Sequence, residues 1–263
     1  MALYSRLMTW NEDSGTVSRA FEDWKWSDRE NRAFLRLSAR WSGRAYQEAW
    51  DEAEKVMNER FDPYLHYGDE HVDLFDDTVD GLWPHAYDWI TEASVMKNAV
   101  TAFEVYLEKA LQEALGSSLT YAGKVHQIKL AAPPRYESPS WRTLVTGHQV
   151  LGSKVDTDEV MWARDLRHLL THQNGALPSD TAVARFRDPD AERDQDELSR
   201  AHIGGKVPLG VPRVLKTLDS LAAVVRTADA PAWALGWSPG GRSRWQAVLK
   251  ALHQQKCITI EPV

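Results

Sequence analysis

Arg164-Asp165-Leu166-Arg167-His168-Leu169-Leu170-Thr171-His172-Gln173-Asn174-Gly175 decides how this chain is read. Two arginines and two histidines fall within the nine residues from Arg164 to His172, on a stretch whose Leu166, Leu169 and Leu170 keep the spacing of a buried helix face. Asn174-Gly175 stops that helix, because both residues accept the left-handed backbone that ends one. Cations and imidazoles are costly beside an apolar face without partners, so the pattern points to a site that grips an anion and moves protons.

The flanking sequence is also mostly helical. Asp156 or Thr157 can cap the helix, whose apolar positions begin at Val160, Met161 and Ala163. Trp83-Pro84 opens an earlier helix with a stripe at Val100, Phe103, Leu107, Leu111 and Leu115, stopped by Gly116. Residues 141–151 predict a short helix, Leu215, Leu218, Leu221, Ala222 and Val225 another after Pro212, and residues 245–255 a last amphipathic one. Residues 16–60 read as helix with Phe34, Leu35, Leu37, Trp41, Ala45, Ala49, Ala53 and Val56 as its apolar face, ended by Asp62-Pro63. Strand signal is confined to residues 125–130 and 257–260. Residues 117–140 and 176–210 read as irregular, and residues 231–241 as a linker holding Trp233 and Trp237. The expected fold class is all-α: an N-terminal helical accessory region (1–85), a helical bundle (86–230), and a Trp-containing basic C-terminal helix and tail (231–263).

With 263 residues, 43% of them hydrophobic, the chain can bury one large core or two modest ones. A net charge of -7 argues against a protein that coats nucleic acid non-specifically, while leaving room for a local basic cleft. Cys257 is the only cysteine, which excludes an intrachain disulfide and cysteine-rich zinc sites and fits a reducing, cytoplasmic setting. No apolar run approaches the roughly 18 residues of a membrane span, so no membrane partner is expected. Residues 1–10 lack the basic-then-apolar order of a secretory signal. Most of the 12 tryptophans read as core or interface filler.

Arg167 and His172 are five residues apart, which places them roughly 140° apart around an ideal helix. A shared site then needs a long arginine reaching round, a loosened last turn at Asn174-Gly175, or a partner subunit. Arg164 and His168, and likewise His168 and His172, are four apart and share a face. A guanidinium presents a planar fork suited to phosphate, and a histidine works as acid or base near neutral pH. Together they suit metal-free phosphodiester cleavage, the imidazole taking a proton from a ribose 2′-hydroxyl while the guanidinium neutralises charge growing on the phosphate. The plainer reading is that helices carry cations in their last turn for the macrodipole, with Arg164 paired to Asp165, Asp158 or Glu159.

This segment resembles the defining motif of the HEPN superfamily (higher eukaryotes and prokaryotes nucleotide-binding domains). That motif is an arginine, a polar residue, and a histidine after four to six intervening residues; Arg167, His168 and His172 fit with four between. Residues 98–107, with Glu104 among apolar residues, are similar to the family's earlier core helix. Residues 141–151 are similar to its middle helix and the helix after Pro212 to its closing one, so the resemblance spans about residues 90–228. It implies an all-α bundle that dimerises, placing two motifs at one cleft. It also implies a metal-independent endoribonuclease without cofactor, which leaves a 2′,3′-cyclic phosphate and works in toxin or anti-phage systems with an antitoxin or defence-system partner. Carried over, Arg167 binds and stabilises the phosphate, His172 is the acid/base, and His168 orients the pair. Arg164, Glu104 and Asn174 are weaker candidates for RNA contact. Glu104 reads equally as an ordinary salt-bridge partner for an arginine of the motif helix. Where some toxin members carry a tyrosine modified by an antitoxin, this chain has Asn174. Some members are inactive, so a non-catalytic module binding nucleotide or a partner protein stays open.

Other features carry less. From Ala230 to Ile260 there is no acidic residue, and Arg242, Arg244, Lys250 and Lys256 lie among Trp233, Trp237 and Trp245. That mixture suits single-stranded RNA, or simply packs the tail with solvated cations. His66, His71 and Asp73 sit by an acidic run over residues 69–80 without metal-ligand spacing, which reads as a solvated face. Gly204-Gly205-Lys206 reads as a turn, and Cys257 as a buried small residue.

Overall fold

The computed structural model describes residues 17–58, 85–121, 124–187, 201–237 and 241–262. Its elements are α1 (Arg19–Asn58), α2 (His85–Leu115), β1 (Ser118–Tyr121), β2 (Lys124–Leu130), α3 (Trp141–Leu151), α4 (Asp158–His172), α5 (Asp180–Phe186), α6 (Val211–Trp237), α7 (Gly241–Gln254) and β3 (Ile258–Pro262). The described chain is mostly helical, and its strands form one antiparallel sheet in the order β1-β2-β3. Two compact units interleave along the sequence. One draws on the described residues of Met1–Arg29, Ala99–Asp165 and Thr217–Val263, the other on those of Glu30–Asn98 and Leu166–Lys216.

In the first unit the predicted stripe of α2 is the core, with Val100, Phe103, Leu107, Leu111 and Leu115 all buried. Helix α3 packs on it through Gly147, where a Cβ would stand 2.7 Å from Leu111 Cδ1, so any larger residue there would have to displace the Leu111 side chain. Ser140 caps α3 by accepting from Thr143 N, and Gly152 ends it in the left-handed conformation. His148 is fully buried with Nε2 3.0 Å from the Leu107 carbonyl oxygen. Ser18 caps α1, its Oγ accepting from Phe21 N, and in turn donates its hydroxyl and amide to the buried Asp229 of α6. Tyr106 donates to the Val225 carbonyl and to the same Asp229. The amides of Arg19 and Ala20 donate to Glu113 of α2, so two carboxylates from distant sequence satisfy the opening turn of α1. In the sheet Ile128 pairs with Ile260, and Ile128 and Ile258 face inward.

The second unit buries Leu35 of α1, Ala93, Val95 and Met96 of α2, and Leu166, Leu169 and Leu170 of α4, together with Leu177, Phe186, Val207 and Val214. Ser42 donates to Asp88 across 2.6 Å, tying α1 to α2. Residues 175–177 and 204–207 form a short ladder: Val207 N donates to Gly175 O, Leu177 N to Gly205 O, and Gly204 N to Leu177 O.

Several expectations need correction. The mostly helical class holds, with one small sheet beside the helices: residues 125–130 and 257–260 hold β2 and β3 as their β-propensity suggested, but β1 lies in a stretch read as irregular. Phe34, Leu37 and Trp41 are 53%, 49% and 65% exposed; the buried side of α1 there is Leu35, Ser38 and Ser42. Residues 176–210 contain α5, whose N-cap Ser179 accepts from Ala182 N. The supposed linker from 231 is helical to Trp237 with Pro231 inside α6, because buried Ala228, Ala232 and Leu235 continue the inward face past the missing amide. The tryptophans are not uniformly filler, since Trp26, Trp41 and Trp237 are exposed. The acidic run at 69–80, His66, His71, Asp73, Asp62-Pro63 and Trp83-Pro84 lie outside the described residues. Among the described residues no helix is long and apolar enough to cross a membrane.

Candidate functional site

Helix α4 opens at Thr157, which offers its Oγ1 to Val160 N at 3.4 Å and its carbonyl to Met161 N. Asp158 and Glu159 in the first turn suit the positive end of the helix dipole. Val160, Ala163, Leu166, Leus 169 and 170 bury one side, which leaves Arg167 half-buried and His168, Thr171 and His172 exposed.

The end of α4 is the most constrained part of the second unit. Gln173 N and Gly175 N both donate to the Leu169 carbonyl, and Asn174 and Gly175 take φ of 49° and 76°. A left-handed pair closes the helix in this way because its last carbonyls find amides beyond it. The Trp89 ring of α2 lies directly against Gly175, in the space a Cβ would need, and its Nε1 donates to the Val207 carbonyl at 2.8 Å. Lys206 completes the arrangement. Its Nζ donates to the Asn174 carbonyl at 2.6 Å and stands 4.5 Å from the centre of the Trp89 ring. The cation thus sits where carbonyl oxygens concentrate negative potential, on an aromatic face.

The structure brings His168 and His172 together, with ring centroids 4.4 Å apart and planes tilted by 48°. Asn174 follows them and is engaged through its carbonyl by Lys206. Arg167 precedes the pair on the same helix and in the same unit. Arg164 and Glu104 form their own centre in the first unit. Arg164 Nε donates to Glu104 Oε1 at 2.7 Å, and its guanidinium lies 3.9 Å from the centre of the Trp141 ring. A salt bridge from Glu104 to an arginine of this helix was one of the readings open from the sequence, beside pairing of Arg164 with Asp165, Asp158 or Glu159, and Glu104 on α2 does reach Arg164. Both groups of that pair are about three-quarters shielded, so it holds better than a surface ion pair.

Three contributors escaped sequence reasoning. Trp89 and Trp141 give no signal beyond being aromatic, and Lys206 reads only as part of a glycine turn. Its proximity to Asn174 comes from the ladder pairing Ala176 with Lys206, 30 residues on in the sequence. Trp245 donates its Nε1 to the Leu115 carbonyl, which is the packing expected of a tail tryptophan.

Two buried titratable groups stand out. Glu92 on α2 is pushed up to about 7 by burial first and by Asp88 second, against the pull of an amide hydrogen bond from Val211. His148 is pushed down to about 4 by burial, against its hydrogen bond to Leu107. Burial also raises the thiol of Cys257. A cleft of about 650 Å³ opens in the first unit beside Glu108, Gln112, Lys129, Tyr136, Glu137 and Glu261. Three carboxylates against one lysine make it a poor seat for phosphate. Among the described residues no group of three or more His, Cys, Asp or Glu side chains is placed to hold a metal. No family model matches the chain, nor does any curated protein or solved structure, so the reading of the site rests on its own residues.

Proposed function

We propose that this chain is a metal-independent endoribonuclease of the HEPN type, working as a homodimer in a toxin or anti-phage defence setting with an antitoxin or defence-system partner. The observation that carries the reading is the exposed His168–His172 pair at the end of α4, with Arg167 preceding it on the same helix and Leu166, Leu169 and Leu170 buried. Lys206 adds positive charge at the same helix end.

In this reading His172 accepts the proton of a ribose 2′-hydroxyl. The freed 2′-oxygen attacks phosphorus, and the bond from phosphorus to the 5′-oxygen of the next nucleotide breaks. The products are a 2′,3′-cyclic phosphate and a 5′-hydroxyl, the latter protonated by an imidazolium. Arg167 binds the phosphate and neutralises the charge that grows on its oxygens, and His168 orients the pair. Since about 140° of helix separates Arg167 from His172, a second copy supplying one of the two groups relieves the geometry.

The test is incubation of the protein with structured and unstructured RNA in EDTA, followed by analysis of product ends. Expected are cyclic phosphate ends, lost in both Arg167→Ala and His172→Ala while the dimer persists by light scattering. Cleavage that survives in the double variant overturns the assignment. No cleavage by the unaltered protein under any trigger favours a non-catalytic module that binds nucleotide or a partner protein.

A further inference from the structure

We propose that His168 and His172 form a two-histidine chelate for a late first-row divalent ion, with copper(II) and nickel(II) preferred over zinc. Both rings are exposed on one face of α4, four residues apart, with centroids separated by 4.4 Å. Imidazole nitrogen binds such ions at about 2.05 Å, which puts each ring centroid roughly 3.2 Å from the metal. Two rings meeting an ion at a right angle then have centroids about 4.5 Å apart, and at a tetrahedral angle about 5.2 Å. The spacing in α4 falls on the right-angle value, the geometry of tetragonal copper(II) and octahedral nickel(II). Tetrahedral zinc requires the rings to open by roughly 0.8 Å.

The helix sets the Cα spacing of the two histidines, and their exposed rings turn about χ1 and χ2 to bring a nitrogen of each to the ion. With no third protein ligand grouped there among the described residues, water fills the remaining positions and the ion exchanges readily. Lys206 at the helix end opposes a divalent charge and keeps the affinity below that of a carboxylate-bearing site. The consequence for chemistry rests on the endoribonuclease reading: an ion on His172 takes the nitrogen that would accept the 2′-hydroxyl proton, and cleavage stops until the ion leaves.

The experiment is calorimetric titration of the full chain, without a polyhistidine tag, with copper(II), nickel(II) and zinc chlorides in turn. His168→Ala, His172→Ala and the control His253→Ala on α7 are titrated alongside, and circular dichroism verifies their helix content. The expected result is one site per chain in the order copper, nickel, zinc. Because the second imidazole acts at high effective concentration, either site variant loses about tenfold or more in affinity, while His253→Ala does not. Equal affinity across all variants, or no saturable binding by the unaltered chain, overturns the chelate. RNA cleavage in EDTA and with added nickel is measured separately. Metal binding without any cleavage leaves the chelate standing and removes the endoribonuclease reading. Cleavage in EDTA without metal binding does the reverse. Cleavage that nickel leaves unaffected despite binding overturns the silencing role.

Discussion

At Gly175 the chain has no room for a methyl group. Its φ of 76° already disfavours an L side chain, and the Trp89 ring that fills the Cβ position is pinned by its bond to Val207. Gly175→Ala is therefore expected to lower unfolding free energy by about 1–3 kcal/mol, read by chemical denaturation. Asn174→Gly at the neighbouring left-handed position should leave it nearly unchanged. Lys206 next door allows a charge test within the RNA reading. If its ammonium contacts a phosphate, Lys206→Gln lowers the slope of log affinity against log salt for single-stranded RNA by about 0.7, while Lys206→Arg preserves it. Fluorescence anisotropy over a salt series measures both; an unchanged slope in Lys206→Gln removes the lysine from the RNA surface. The Asn174-Gly175 stop was readable because backbone tolerance is a property of the residue itself. Lys206 was not, because its place depends on a ladder between segments 30 residues apart.

For helix α1, periodicity identifies the element but misassigns its inward face. Two stripes run side by side, Phe34, Leu37 and Trp41 against Leu35, Ser38 and Ser42, and the face read from hydrophobicity joined Leu35 to the first. The structure buries the second, because Leu35 fills the core and Ser42 hydrogen-bonds Asp88. An inverted order of sensitivity follows. Ser42→Ala, which deprives a carboxylate of its donor, is expected to cost about 1–2 kcal/mol, and Trp41→Gln to stay within about 0.5 kcal/mol. Urea unfolding of the two variants decides it; a larger loss at Trp41 would mean that the stripe is covered in solution. In α2 and α4 the apolar pattern has no such rival, and their inward residues were legible. Helix α5 and the end of α6 were obscured because Pro178 and Pro231 read as breakers, whereas a proline is tolerated just ahead of a cap or where packing continues past it. Of the candidate site, the His168–His172 pairing follows from spacing on a helix. The Arg164–Glu104 pair was anticipated only as an alternative, since nothing in a sequence measures the distance between α2 and α4.

Across the whole molecule, two buried groups set opposing responses to acid. Glu92 is raised from 4.5 to about 7, so the folded state holds its proton more tightly than the unfolded chain. Its contribution is fully present below 4.5 and is lost as pH climbs through 7. His148 is lowered from 6.5 to about 4; its contribution is present above 6.5 and is lost as pH falls towards 4. Between about 4.5 and 6.5 the two slopes oppose each other. Replacing Glu92 by Gln removes one of them, so the difference in stability between Glu92→Gln and the unaltered protein should move in favour of the variant as pH rises, by on the order of 3 kcal/mol between pH 4.5 and 7. Denaturation series at fixed pH values test this, and a difference independent of pH would show that Glu92 titrates alike in the folded and unfolded chain. The bond from Ser18 to Asp229 bears on how the chain comes together during translation. Its partners are separated by 211 residues, and at ribosomal speeds of 5–20 residues per second the second follows the first by roughly 10–40 s. The start of α1 therefore waits, uncapped by its acid, until the ribosome has passed Asp229, and any chaperone that shelters nascent segments must cover this turn for that interval.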